Sequence, residues 1–179
     1  MSATTPGHPN AIIRAGITAD IPKLIQPGLL SYGQYAPLLH EDNWQKLRKG
    51  IENQDMWHSI IQSSHSFLYE VSGVVAGMAF LLPHGNAWDV YPDEWSYIRM
   101  VGVHPSYSGQ GIATKLTMCC IEKARNTGEQ IIALHTSEVM HAARHIYESL
   151  GFTIERAIAD RFGLRYWLYK MELPHLPSE

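Results

Sequence analysis

Apolar residues along this chain alternate, cluster or recur in ways that predict most of its elements. Residues 12–17 read as a first strand. Thr18 or Asp20 is placed to cap the helix that follows. Pro22 is tolerable in its first turn, and Pro27-Gly28 is expected to end or kink it. Asp42 can cap a second helix with Trp44, Leu47 and Ile51 on one face, and residues 56–62 either extend it or form a short helix. Two β-rich runs, 67–71 and Val74–Leu82, flank Ser72-Gly73 as a tight hairpin. A polar and aromatic excursion over 83–94 leads to a strand at 97–103. Ile112, Leu116, Cys120 and Ala124 form an i, i+4 row on a helix over 112–127 that Gly128 closes. A buried strand at 131–135, a helix at 142–150 ended by Gly151, and strands at 152–158 and 164–173 complete the chain.

The order β-α-α-β-β-β-α-β-α-β-β begins with an antiparallel meander and contains one βαβ crossover, from strand 97–103 to strand 131–135. It predicts an α/β (α+β) fold: a mixed, mostly antiparallel twisted sheet with helices on both faces. One domain over 11–174 is expected, with flexible segments at 1–10 and 175–179. The 179 residues suffice for a sizeable core.

A formal net charge of −3 and no Lys/Arg cluster argue against nucleic acid or an anionic membrane as partner. The two cysteines, Cys119 and Cys120, are adjacent within a predicted helix. They read as small core residues rather than a disulfide, in keeping with a cytoplasmic setting. The N-terminal segment lacks the pattern of a signal peptide, and the longest apolar run, Val74–Leu82, is well short of the ~20 residues of a membrane helix. His135, His141 and His145 lack a carboxylate at metal-ligand spacing, so no metal is expected.

The chemistry concentrates in Ser108-Gly109-Gln110-Gly111-Ile112-Ala113, a glycine turn between a strand and a helix. Bare backbone N–H groups at the positive end of a helix dipole form a phosphate-binding device. No Gly-Lys-Ser/Thr P-loop is present, and Thr114 stands where a dinucleotide fingerprint needs a third small residue. From these residues alone the turn is either a diphosphate site or a plain strand-to-helix connection.

Val103-x-Pro105 followed by Gly109-x-Gly111-Ile112-Ala113 resembles the acetyl-CoA motif of the GNAT superfamily of N-acetyltransferases. Downstream, Ala143-x-x-x-Tyr147-x-x-x-Gly151-Phe152 is similar to that family's last helix and following strand, and His135-Thr136-Ser137 ahead of Met140 looks like one bacterial branch. The resemblance spans 12–173 and implies acetyl transfer from acetyl-CoA to a primary amine of a small molecule or peptide, by direct attack in a ternary complex. It implies that the backbone of Ser108, Gly109, Gln110, Gly111, Ile112 and Ala113 holds the pyrophosphate. It assigns the thioester and pantetheine to the strand residues Met100, Val101, Gly102 and Val103, and protonation of the leaving thiolate to Tyr147. Ser108 stands where the family usually has Arg or Gln.

Many members carry a Glu six residues before Val103, where this chain has Tyr97. Glu94, acting through water, is the candidate base, with His135 second. By the resemblance, the first two helices and the loop before the central strand line the acceptor pocket. Tyr32, Tyr35 and Trp44 are its candidate residues, among aromatics that include His40, Trp88, Tyr91 and Trp95, while Asp89, Asp93 and Glu94 would suit a cationic amine. Bland alternatives stand beside these roles: Tyr147 and the aromatics as core, Gly102 as a packing glycine, Glu94 as a solvated loop carboxylate. A non-catalytic acyl-CoA-binding or sensing module of the same fold is the rival function, and a homodimer is a family-level expectation.

Overall fold

The computed structural model describes residues 8–174; of the expected flexible segments 1–10 and 175–179, residues 1–7 and 175–179 lie outside the described residues. The first strand, β1 (Ala11–Arg14), leads through a 3-10 turn at Thr18–Asp20 into α1 (Ile21–Gly33), α2 (Glu41–Glu52) and α3 (Gln54–Ser63). The hairpin is β2 (His65–Val71) and β3 (Val74–Leu82). The crossover is β4 (Ser96–Val103), α4 (Ile112–Asn126) and β5 (Ile131–Ser137), followed by α5 (His141–Leu150), β6 (Thr153–Arg161) and β7 (Leu164–Glu172). One seven-stranded sheet results, in the order β1-β2-β3-β4-β5-β7-β6, antiparallel at every pair except β4–β5. This is the mixed, mostly antiparallel architecture that the element order implied.

Two layers of helix cover the sheet. Leu24 of α1, Ile51 of α2 and Trp57 of α3 pack with Leu68, Met78 and Phe80 on one face. Ile112, Leu116 and Cys120 of α4 and Tyr147 of α5 pack with Tyr69, Leu81, Ile98 and Ile132 on the other. The loop after β3 covers the remaining part of the first face, where Tyr91 joins Leu82, Tyr97, Tyr166 and Leu168. The hairpin turn has Ser72 at φ 48° and Gly73 at φ 82°, the positive pair that a two-residue turn between twisted strands demands.

The first helix does not end at Pro27-Gly28. It runs unbroken through Pro27 and Gly28, both of which are buried. Proline costs α1 one backbone bond, and burial of Ile21, Leu24 and Pro27 offsets that loss. Gly28 is required by close approach: a Cβ there would lie 3.1 Å from Ile51 Cγ2 and 3.4 Å from Met78 Cε. The second helix is capped by His40, whose Nδ1 accepts from the Asp42 N–H, rather than by the Asp42 side chain. The 56–62 segment is part of the separate helix α3, begun by Asn53 accepting from the Asp55 N–H at 3.0 Å.

The feature that positions the site is the join at the centre of the sheet. The parallel strands β4 and β5 pair only at Ser96↔Ile132 and Tyr97↔Ala133 and then part. From Ile98 onward β4 has β3 on one side and no strand on the other. On the β3 side, Gly77 lets α4 seat close to the sheet: a Cβ there would lie 2.6 Å from Ile112 Cγ2. Because Ile112 begins α4 directly after the glycine turn, we expect Gly77→Ala to push that turn outward. Overpacking of this kind costs about 1–3 kcal/mol, so thermal unfolding should shift down by several degrees; an unchanged midpoint would refute the seating argument.

Candidate active site

Two adjoining cavities occupy the gap between β4 and β5 and its approaches, one of about 570 Å³ and one of about 290 Å³. Ser31, Tyr35, Val101, Ala143 and Tyr147 line both. The smaller cavity runs along Gly102 and Val103 to Ser108, Gly109, Gly111, Ile112 and Ala113. Gly109 and Gly111 have φ values of 75° and 74°, and a Cβ on either would meet nothing within 4 Å. The turn is therefore open, and its conformation is one that only glycine adopts readily. The first N–H groups of α4 have no acceptor within the helix and stand at its positive end. An open cradle of amides beside a channel along β4 fits a ligand with a pyrophosphate and a long arm. Gln110 is outside the lining, its Oε1 3.1 Å from Nε2 of His8, and Met100 belongs to the larger cavity.

A bulge re-aims β4 at the gap. Met78 lies opposite Gly102 but Phe80 opposite Arg99, so both Met100 and Val101 are set against Ala79. Met100 has φ 55°, a conformation a long side chain rarely adopts. The bulge breaks strand alternation, and Ile98, Arg99, Met100 and Val101 all line the larger cavity. Gly102 has a packing reason: a Cβ would lie 3.1 Å from Met78 Cε and 3.3 Å from Ser31 Oγ. The Val103 N–H, an expected contact for the cofactor, donates to Ser31 Oγ at 3.2 Å.

Tyr147 is set by the chemistry at the end of α5. The Gly151 N–H donates to Glu148 O and the Phe152 N–H to Tyr147 O, the paired bonds of a Schellman ending with Gly151 at φ 106°. The Phe152 ring meets Tyr147 edge-on at 6.0 Å. Arg144 Nε donates to Tyr169 Oη, which donates to Glu148, tying the helix to β7. The spacing of Tyr147, Gly151 and Phe152 is thus a helix ending that holds the tyrosine where the cavities meet. Burial raises its pKa above the ordinary tyrosine value, so the hydroxyl stays protonated.

The larger cavity is walled by Tyr32, Tyr35, Trp88 and Tyr166, with Asn43 and Lys46 of α2 at its side. Trp44 is not in the lining; its ring packs 3.7 Å from the position a Cβ on Gly33 would take. Tyr91 stacks on Tyr97 at 4.1 Å as core. Glu94, the candidate base, is exposed in the loop, and neither it nor Asp93 lines either cavity. Asp89 does line the larger one, but it is paired with Arg161 at 2.6 Å.

His135 reaches the cavity with both ring nitrogens engaged. Arg161 can only donate, so its bond at 3.2 Å makes Nε2 the acceptor, and Nδ1–H donates to Tyr91 Oη. Burial, aided by Arg161, lowers the His135 pKa to about 4, and the ring is neutral near pH 7. Arg99, Arg161, Lys46 and Ser31 were not foreseen as site residues. No motif marks them: the bulge and the loop packing bring them there. Among the described residues no group of three or more His, Cys, Asp or Glu could hold a metal, and no helix is long and apolar enough to cross a membrane.

Comparison with known proteins agrees with this geometry. The family model for the acetyltransferase (GNAT) family matches residues 34–152, and the chain belongs to that family. N-alpha-acetyltransferase 30 of Schizosaccharomyces pombe is 46% identical over 56 residues, 31% of this chain and 37% of that protein. The chain spans only 22% to 54% of the length of the curated relatives it matches. The PaiA N-acetyltransferase of Thermoplasma acidophilum, solved in complex with coenzyme A, superposes with a TM-score of 0.74 at 15% identity, covering 91% of this chain and 99% of that one. YncA of Salmonella typhimurium, solved with its cofactor acetyl-CoA, gives 0.68 at 20% identity, covering 95% and 98%.

The neutral His135 has a consequence for stability. Its folded pKa of about 4 lies below the ordinary 6.5, so the unfolded chain takes up the proton first as pH falls. The resulting stability is whole above pH 6.5 and declines toward pH 4. We expect His135→Gln to lose less stability than the native chain between pH 7 and 4, by on the order of 2–3 kcal/mol. Urea unfolding at the two pH values checks this; equal losses would show that His135 is not held neutral.

Proposed function

We propose that this protein transfers an acetyl group from acetyl-CoA to a primary amine of a small molecule or peptide, by direct attack with both substrates bound. The observation that carries this reading is the position of Tyr147, which lines both the glycine-turn cavity and the aromatic one. Its place on the helix matches the family pattern, and relatives of the same fold solved with coenzyme A or acetyl-CoA support the choice of donor.

When bound, acetyl-CoA supplies a thioester whose carbonyl is the electrophile. The amides from Gly109 to Ala113 hold the pyrophosphate by direction rather than by side-chain charge, so Ser108 in place of a longer polar residue is tolerable. Val101 borders both cavities at the bulge of β4, and its N–H is the donor assigned to polarise the carbonyl, the Val103 N–H being taken by Ser31. Tyr147, kept protonated by burial, donates its proton to the departing sulfur. Glu94 lies outside both cavities and both His135 ring nitrogens are bonded, so the amine proton leaves to solvent, from which Tyr147 regains the proton it gave up.

A screen for thiol release across amines tests the activity; tight acetyl-CoA binding with no release on any amine would instead support a sensing module. Tyr147→Phe should lower kcat by about a hundredfold or more, the scale of a general acid, while leaving the acetyl-CoA Kd within about twofold. Equal loss of rate and binding would remove Tyr147 from the acid role. Gly111→Val should abolish acetyl-CoA binding in calorimetry without changing the circular dichroism spectrum, because valine at φ 74° is strained and its side chain blocks the cradle. Unchanged binding would overturn the phosphate assignment.

A further inference from the structure

The larger cavity has an imbalance of charge that the proposed chemistry does not use. Its lining holds three cationic side chains, Lys46, Arg99 and Arg161, and one carboxylate, Asp89. Arg161 neutralises Asp89 and also bonds His135. His135 is neutral and adds no charge. Arg99 is different: among the described residues it has no ion pair and no hydrogen bond to another side chain or to the backbone. It is half-buried and stacked over the Trp88 ring, its guanidinium carbon 3.7 Å from the centroid.

Stacking occupies the face of a guanidinium and leaves its edge of N–H donors free. A half-buried cation without an anion is costly to keep, and a ligand oxyanion in the cavity would relieve that cost. Contact with the Trp88 ring already places the Arg99 guanidinium at the cavity, so less ordering is needed on binding. The acidic wall expected to attract a cationic amine is absent: Asp93 and Glu94 lie outside, and Asp89 is spent on Arg161.

We infer that the acceptor is a free amino acid, a small molecule with a primary amine and a carboxylate, whose carboxylate docks on the guanidinium edge of Arg99. This deepens the acetyltransferase reading and rests on it. Arg99 lies two positions from Val101, which borders both cavities with Tyr147. Even with the bulge between them, two positions span at most roughly 7 Å of backbone, within the reach of a short amino acid. A polypeptide N-terminus would bring an uncharged amide to Arg99 instead. The cavity's volume of about 570 Å³ suits a small molecule.

The test compares free amino acids with their carboxamides as acceptors, by thiol release from acetyl-CoA. The carboxamide has the less basic amine, so chemistry alone favours it, and a preference for the acid must come from the site. We expect kcat/KM at least tenfold higher for the acid. Arg99→Gln should raise KM for the acid at least tenfold, leave KM for the carboxamide within about twofold, and leave acetyl-CoA affinity unchanged, which also reports an intact fold. Arg99→Lys should recover only part of the loss, because it restores charge without the fork. Equal use of acid and carboxamide by the native protein, or an equal penalty on both in Arg99→Gln, would overturn the inference. Calorimetry on the CoA-saturated protein gives a reading independent of turnover: the N-acetylated acid should bind at least tenfold tighter than its amide, and equal binding refutes Arg99 as the anchor. If no amine releases thiol, the acetyltransferase reading fails, and this binding ratio alone decides the carboxylate site.

Discussion

The site depends on the failure of two neighbouring strands to stay paired. The strands β4 and β5 share two residue pairs and then diverge. A sheet interior ordinarily satisfies every backbone donor and acceptor, and beyond Tyr97 β4 has no strand partner on its β5 side. The bulge at Met100 and Val101 belongs to the same break, because β4 has one residue more than β3 can match. The crossover helix α4 and the last helix α5 sit over the parted strands, so the glycine turn and Tyr147 reach the cleft from different parts of the chain.

Burial then sets the protonation states. Tyr147 keeps its hydroxyl proton because removal from water disfavours its anion. His135 is neutral for the same reason, reinforced by Arg161. Arg99 is pulled the same way, with burial lowering its pKa from the usual guanidinium range, but an arginine does not give up its proton in a protein. It keeps its charge and needs an anion. The larger cavity therefore holds a protonated phenol, a neutral ring and an unneutralised cation, each with a different consequence.

Local patterns were legible wherever a residue type has few conformational options. Gly73, Gly111, Gly128 and Gly151 adopt positive φ where the chain punctuation placed turns and helix ends, and the meander and crossover follow from the order of elements. Pro27 shows the limit of that logic. Its helix-breaking tendency is real, but the packing of α1 against α2 and α3 outweighs the loss of one backbone bond. Trp44 and Glu94 show a second limit. Their residue types suited the acceptor pocket, yet one packs on α1 and the other lies exposed, and no local rule reports which side of an element faces a cavity.

The sequence by itself determined the family, the fold class, the glycine cradle and the tyrosine helix, because each rests on short-range geometry written in neighbouring residues. Only the tertiary structure decided which side chains meet in the larger cavity and which of their charges are paired. The Arg161–Asp89 pair, the bonds that occupy His135 and the stacking of Arg99 on Trp88 join residues far apart in the chain. Whether a charge is neutralised depends on which residues the folded chain brings within a few ångströms, and that is a property of packing rather than of any motif.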